Sequence, residues 1–244
     1  MKNETAIVTG GGGAIGAAIA RRLADTGATV IVCGRTEEPL RQTVADITST
    51  GGAADYVCAD VTKIEDWERL VDETQRRTGA PPSILVNNAA RFVWRSWRDW
   101  DPRAFRDVVD SNLMSVMYGC RAVVDGMHAR GGGSIVNVSS IHGLVGDKNV
   151  APHVATKFGV NGLTLALAHD LKEHRIRVNA VCPGAVEKDA KKAAATSREW
   201  PPSRVLMAEE VADVAVFLCS PAARAVTGAL LPVYGKTMAS VRPV

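Results

Sequence analysis

The sequence predicts a doubly wound parallel α/β fold of about seven strands with helices on both faces, and two observations carry that prediction. Short apolar runs alternate with segments of helical spacing along almost the whole chain. A strand, helix, strand repeat needs right-handed crossovers, which build a parallel sheet covered on both sides. The glycine-rich stretch TGGGGAIG, residues 9–16, directly follows the first run, as a turn closely approached by a ligand does between a strand and a helix.

In chain order, TAIVT (5–9) is a continuous apolar run of strand length. After the glycines, Ile15, Ile19 and Leu23 recur at i, i+4 and i+8 and mark one helix face. TVIVC (29–33) and ADYVC (54–58) are the next two strands. Ile64, Trp67, Leu70 and Val71, with charges on the opposite face, predict a helix before the fourth strand, SILVN (83–87). SIVNV (134–138), RVNAV (177–181) and ALLPV (229–233) complete the set. GAPPS (79–83) and RGGGS (130–134) are turns leading into strands, and WPPSR (200–204) is a loop. With no linker and no repeat of solenoid period, one domain over residues 1–244 is expected, with a lid-like segment at 187–204 inside it.

Composition narrows the function. Of 244 residues, 46% are hydrophobic and 23% charged, which is ordinary globular usage and excludes a disordered or fibrous chain. The net charge of +3 is small, and the basic residues are scattered among acids, so a nucleic-acid partner is not expected. No stretch approaches the roughly 18 apolar residues of a membrane span, and MKNETAIVTGGGG lacks the order of a signal peptide. A soluble cytoplasmic protein is expected. Cys33, Cys58, Cys120, Cys182 and Cys219 are odd in number, widely spaced and mostly within apolar runs, which predicts buried reduced thiols and no metal site.

In a doubly wound sheet the ligand crevice lies outside the carboxyl ends of the strands, so the motifs there carry the information. Thr9, Gly10 and Gly16 fit the pattern TGxxxGxG, with Ala14 in place of its middle glycine. Asp60-Val61 follows the third strand and Asn87-Asn88-Ala89 the fourth, where Ala90 replaces a glycine. Asn112 in DSNL, Ser140 in IVNVSS, Lys157, and Pro183-Gly184 after the sixth strand complete the series. Together these motifs, spread over essentially the whole chain, resemble the short-chain dehydrogenase/reductase family. The resemblance implies a Rossmann fold, a small-molecule substrate and a homodimer or homotetramer. It also implies a nicotinamide dinucleotide held by Thr9, Gly10, Gly12, Gly13, Ile15, Gly16, Asp60, Val61, Asn88, Ala89, Lys157, Pro183, Gly184 and Val186.

The end of the second strand, VIVCGRTEE, places Gly34 where NAD-preferring relatives carry an acid, and Arg35 directly after it. An arginine there suits a 2′-phosphate, so NADP(H) is expected in preference to NAD(H). Glu37 and Glu38 close by leave open that Arg35 is only a solvated loop charge.

By the same resemblance Ser140 orients the substrate oxygen, Lys157 holds the nicotinamide ribose and Asn112 supports a proton relay. The position of the family's catalytic tyrosine, in APHVATK, is His153. His153 and Lys157 stand at i and i+4 and share a helix face. The nearby ammonium should push the imidazole below its usual value of about 6.5, so that it is neutral at pH 7. Further departures lie at Lys188, where relatives have a threonine, and at Tyr234-Gly235-Lys236, where they have DGG. The leading expectation is an oxidoreductase interconverting a carbonyl and an alcohol with His153 as an atypical acid/base. The alternatives are a non-redox enzyme using His153 as a base for elimination, isomerisation or cyclisation, and a catalytically silent dinucleotide-binding protein.

The loop ARFVWRSWRDWD (90–101) holds three of the five tryptophans and three arginines. Arg91, Trp94 and Arg95, with His142, are candidate contacts to an anionic or aromatic substrate. The same tryptophans equally suit packing, and the same charges equally suit solvent.

Overall fold

The computed structural model describes residues 1–187 and 205–234. Seven strands, β1 (Thr5–Thr9), β2 (Thr29–Gly34), β3 (Ala53–Cys58), β4 (Ile84–Asn87), β5 (Gly133–Val138), β6 (Ile176–Pro183) and β7 (Leu230–Val233), form one sheet in the order β3-β2-β1-β4-β5-β6-β7. Every neighbouring pair is parallel. All seven strands expected from the apolar runs are present. The chain starts at β1, winds outward to β3, then returns to place β4 on the other side of β1. That reversal opens a crevice at the carboxyl ends of β1 and β4.

The helices are α1 (Ala14–Asp25), α2 (Glu37–Ser49), α3 (Ile64–Thr78), α4 (Pro102–Val109), α5 (Ser115–Ala129), α6 (Ala151–Asp170) and α7 (Ala208–Cys219). Alternate strand residues point to opposite faces, which divides the core in two. Ala6, Val8, Val30 and Val32 pack against Ile19 and Leu23 of α1 and Val211 and Ala215 of α7. Ile7, Ile31, Leu85 and Ile135 pack against Trp67 and Leu70 of α3, Val123 of α5 and Val160 of α6. No helix among the described residues is long and apolar enough to cross a membrane.

Two expectations need correction. Ile64 was expected on the buried face of α3 but is exposed. It is the first helical residue, and Trp67, Leu70 and Thr74 form the buried stripe without it. Cys58 is exposed, unlike the other four free thiols, because it ends β3, an edge strand with no neighbour on its outer side. The segment 188–204, which contains Lys188, most of the lid-like stretch and the WPPSR loop, lies outside the described residues, as do Gly235 and Lys236.

The approach to Asn112 is built locally. Asp101 caps α4, its Oδ1 accepting from the amides of Arg103 and Ala104 at 2.9 Å each, with Pro102 in the first turn. Between α4 and α5 one turn, Asp110–Met114, widens to a π-helix. Such turns displace the backbone from α-helical register, and this one carries Asn112.

Candidate active site

The nucleotide end is assembled where β1 and β4 diverge. The Thr9 Oγ1 accepts from the amides of Asn88 and Ala89, both at 2.9 Å. Asn88 Nδ2 returns bonds to the carbonyls of Thr9 at 2.9 Å and Gly10 at 3.3 Å. The ends of the two strands are thereby tied across the reversal. Gly10 has φ +63°, the left-handed region that favours glycine. A Cβ on Gly16 would lie 2.2 Å from the Gly10 carbonyl oxygen, and Cβ atoms on Gly11 and Gly12 would meet Val32 and Pro39 at 2.5 and 2.6 Å.

Gly13 is different, since its Cβ would meet no protein atom closer than the Gly10 oxygen at 3.4 Å. It caps α1 without a side-chain hydrogen bond, and the first turn of α1 holds no acid. The first-turn amides, those of Ile15 and Gly16 among them, have no intrahelical acceptors and present the positive end of the helix dipole. A pyrophosphate fits this cradle.

Just past the carboxyl end of β2, Arg35 is exposed and forms no ion pair among the described residues. Its acidic neighbours are engaged: Glu37 accepts from the Tyr56 hydroxyl at 2.8 Å, and Glu38 lies 3.8 Å from Arg41. Gly34 is not required by packing, for a Cβ there would meet only the Leu40 methyls, at 3.6 Å or more. Asp60 Oδ1 accepts from the Thr62 amide and hydroxyl, and the Val61 carbonyl accepts from Trp67 Nε1 at 3.0 Å.

Beyond β5 the chain enters a short 3-10 turn, Ile141–Gly143, capped by Ser140, whose Oγ accepts from the His142 amide at 3.1 Å. α6 packs beside this turn with His153 and Lys157 one helical turn apart, 7% and 3% exposed. Lys157 Nζ donates to the Val138 carbonyl at 2.7 Å, and burial lowers its pKa from 10.5 to about 8. His153 is pushed down from 6.5 to about 3. Burial is the larger cause, followed by the positive charges that Lys157 and His142 place nearby; a weaker interaction with the Arg91 backbone opposes it. The downward direction expected from Lys157 alone is therefore right, but desolvation leads.

Asn112, fully buried, organises this end. Its Oδ1 accepts from the Arg91 amide at 2.7 Å, and its Nδ2 donates to the Arg91 carbonyl at 3.0 Å and to Thr156 Oγ1 at 3.3 Å. The paired bonds to one backbone unit fix which end of the amide is which. His153 Nδ1 lies 3.5 Å from that Nδ2. Which ring nitrogen donates and which accepts follows the imidazole tautomer.

With this geometry in place, the family profile described as short chain dehydrogenase matches residues 4–199. The chain belongs to the short-chain dehydrogenase family. It is 38% identical over 245 residues to a 3beta-hydroxysteroid dehydrogenase of Eggerthella lenta, covering 96% of this chain and 94% of the relative. Among solved structures, a variant of actinorhodin polyketide ketoreductase with NADPH superposes at TM-score 0.87 with 37% identity, covering 96% and 98% of the two chains. A 7α-hydroxysteroid dehydrogenase complexed with NADH and 7-oxo glycochenodeoxycholic acid superposes at 0.88 with 30% identity, over 96% and 94%.

On the substrate side of this short-chain dehydrogenase, Arg91 and Arg95 turn to protein partners. The Arg91 guanidinium lies 3.3 Å from Asp107, and that of Arg95 sits over the Trp100 ring at 5.1 Å. Trp94 is exposed. Phe92, which the sequence did not single out, packs edge-on against His153 at 4.9 Å and stacks on His142 at 6.5 Å. Asp147, equally unforeseen, places Oδ2 3.4 Å from His142 Nε2. After β6, whose last residue is Pro183, the Gly184 amide donates to Val233 and a Cβ on Gly184 would strike Tyr234 at 2.7 Å. Val186 forms an isolated parallel bridge with Leu206.

Proposed function

We propose that this oxidoreductase interconverts a carbonyl and an alcohol on a ring-bearing small molecule, prefers NADP(H) to NAD(H), and uses His153 where the family carries tyrosine. The observation that carries the reading is the joining of Ser140, His142, His153 and Lys157 at one strand end, beside a glycine cradle that suits a dinucleotide. A bound nicotinamide dinucleotide supplies or accepts the hydride.

The chain's residues do the rest. Ser140 Oγ accepts from the His142 amide and keeps its own proton to donate to a substrate oxygen. His153, neutral at pH 7, keeps one ring N–H and is a second hydrogen-bond donor. Lys157, charged below about 8, is the residue to hold the nicotinamide ribose. The aromatic lining of Phe92, His142 and His153 favours a ring-bearing substrate. An anionic one is less favoured because Arg91 and Arg95 are engaged.

Following NADPH absorbance across a panel of cyclic ketones tests the reading. Turnover of at least one ketone is expected; intact NADPH binding with no consumption on any ketone overturns it. Calorimetric titration should show NADPH binding more tightly than NADH, because Arg35 has no ion pair among the described residues while Glu37 and Glu38 are occupied. Arg35→Ala should narrow the difference by about tenfold, the worth of one charge-assisted contact of about 1.4 kcal/mol. Equal affinities in the unmodified protein refute the preference.

A further inference from the structure

We infer that His142, backed by Asp147, is the residue that exchanges a proton with the substrate oxygen. The inference rests on the carbonyl/alcohol reading and adds to it the group that carries the proton.

His142 lies two residues after Ser140, and its amide is bonded to the Ser140 oxygen, so the imidazole belongs to the neighbourhood of whatever Ser140 holds. Its ring lies in the aromatic lining, stacked at 12° on Phe92 and perpendicular to His153 at 5.5 Å. One ring nitrogen is accounted for: Nε2 faces Asp147 Oδ2 at 3.4 Å. The carboxylate is itself oriented, because its Oδ1 accepts from the Lys148 amide at 2.7 Å. The other nitrogen, Nδ1, has no hydrogen-bond partner among the described residues. No sealed side-chain nitrogen or oxygen among those residues lacks a partner, so Nδ1 opens to solvent or substrate.

This arrangement is that of a general acid with an orienting carboxylate. A carboxylate beside an imidazole orients the ring and fixes which nitrogen faces outward. Asp147 is half exposed and gives the pair access to water. His153 has different surroundings: Lys157 on its own helix, Asn112 from the π-helical turn, Phe92 from the loop after β4 and His142 itself, with no carboxylate in contact among the described residues. Of the two imidazoles, His142 is the one oriented by a carboxylate.

In reduction, a bound reduced nicotinamide would supply the hydride for the new C–H bond, and the π pair of the carbonyl would move onto oxygen. That oxygen takes the proton from His142 Nδ1, whose N–H bonding pair stays on the ring. The product is the alcohol and a neutral His142 with Nε2–H directed at Asp147; water then reprotonates Nδ1. Oxidation runs the same transfers backwards.

The test uses the NADPH-bound protein and a ketone that the unmodified protein turns over. His142→Phe keeps the ring packing and removes both nitrogens. It should lower kcat by about 10²–10⁴ while leaving the NADPH Kd and melting temperature unchanged. Asp147→Asn should lower kcat by a smaller factor, again with NADPH Kd unchanged. A solvent deuterium isotope effect on kcat should persist in His153→Phe, whatever the rate, and change in His142→Phe. Unchanged kcat in His142→Phe, or an isotope effect lost in His153→Phe and untouched in His142→Phe, overturns the assignment. Failure of the carbonyl reading is a separate outcome, seen as no NADPH consumption by the unmodified protein.

Discussion

At pH 7 the His153→Tyr variant reduces ketones faster than the parent, by up to the roughly 10²–10⁴-fold that a well-placed acid contributes. Burial and the Lys157 ammonium hold the imidazole at about 3, so an imidazolium there is scarce at neutral pH. The same ammonium acts in the opposite sense on a phenol, since a nearby positive charge stabilises the phenolate and makes the hydroxyl a better acid. The Phe92 ring that packs on His153 is exposed and is the neighbour that a longer side chain would displace. Measuring kcat/KM with NADPH for parent and variant decides the matter. A slower variant with unaltered NADPH affinity means that the cleft is shaped around imidazole for another reaction.

The second large effect is on stability in acid. The folded-state pKa of His153, about 3, lies below the ordinary 6.5 of the unfolded chain, so between those values the unfolded chain binds the proton and the folded one does not. Stability is complete above about pH 6.5 and falls as pH drops towards 3, by at most about 1.4 kcal/mol per unit. His153→Phe removes this proton uptake and should flatten the acid limb of a urea-midpoint profile taken from pH 7 to 4. Parallel limbs in parent and variant would show that His153 charges as easily folded as unfolded. Lys157 contributes in a separate window: its depressed pKa of about 8 against 10.5 means that its burial cost is relieved only as pH rises through that range.

The fold was legible because a parallel sheet covered on both faces turns each strand into an uninterrupted apolar run, and all seven runs became strands. The nucleotide end was legible for a related reason. Thr9, Gly10 and Gly16 are constrained by the backbone approaching itself, as the 2.2 Å clash at Gly16 shows, and such constraints leave few residue choices. The substrate side lacked this kind of signal. Asp147 reaches His142 across an irregular loop where no periodicity operates, and an acid in a loop looks like any solvated charge. Phe92 went unnoticed among three tryptophans of the same loop. Arg91 and Arg95 were conspicuous by type, yet Asp107 and Trp100, which engage them, are ordinary in sequence.

The double hydrogen bond between the Asn112 amide and the backbone of Arg91 has a consequence for how such a protein can be altered. It pins the loop at its root, so that the chain beyond Arg91 is anchored at one end independently of its own side chains. Further along, the bond from the Arg95 amide to the Asn149 carbonyl is again made by main-chain atoms and is indifferent to residue type. The stretch from Phe92 to Arg95 is thus held at both ends by main-chain bonds that read no side chain of its own, while Phe92 within it packs on His153 and His142. Val93 and Trp94 can be exchanged while Phe92 is kept, so that the π-helical turn and the histidines keep their places and a new binding specificity can be grafted here without rebuilding the chemistry.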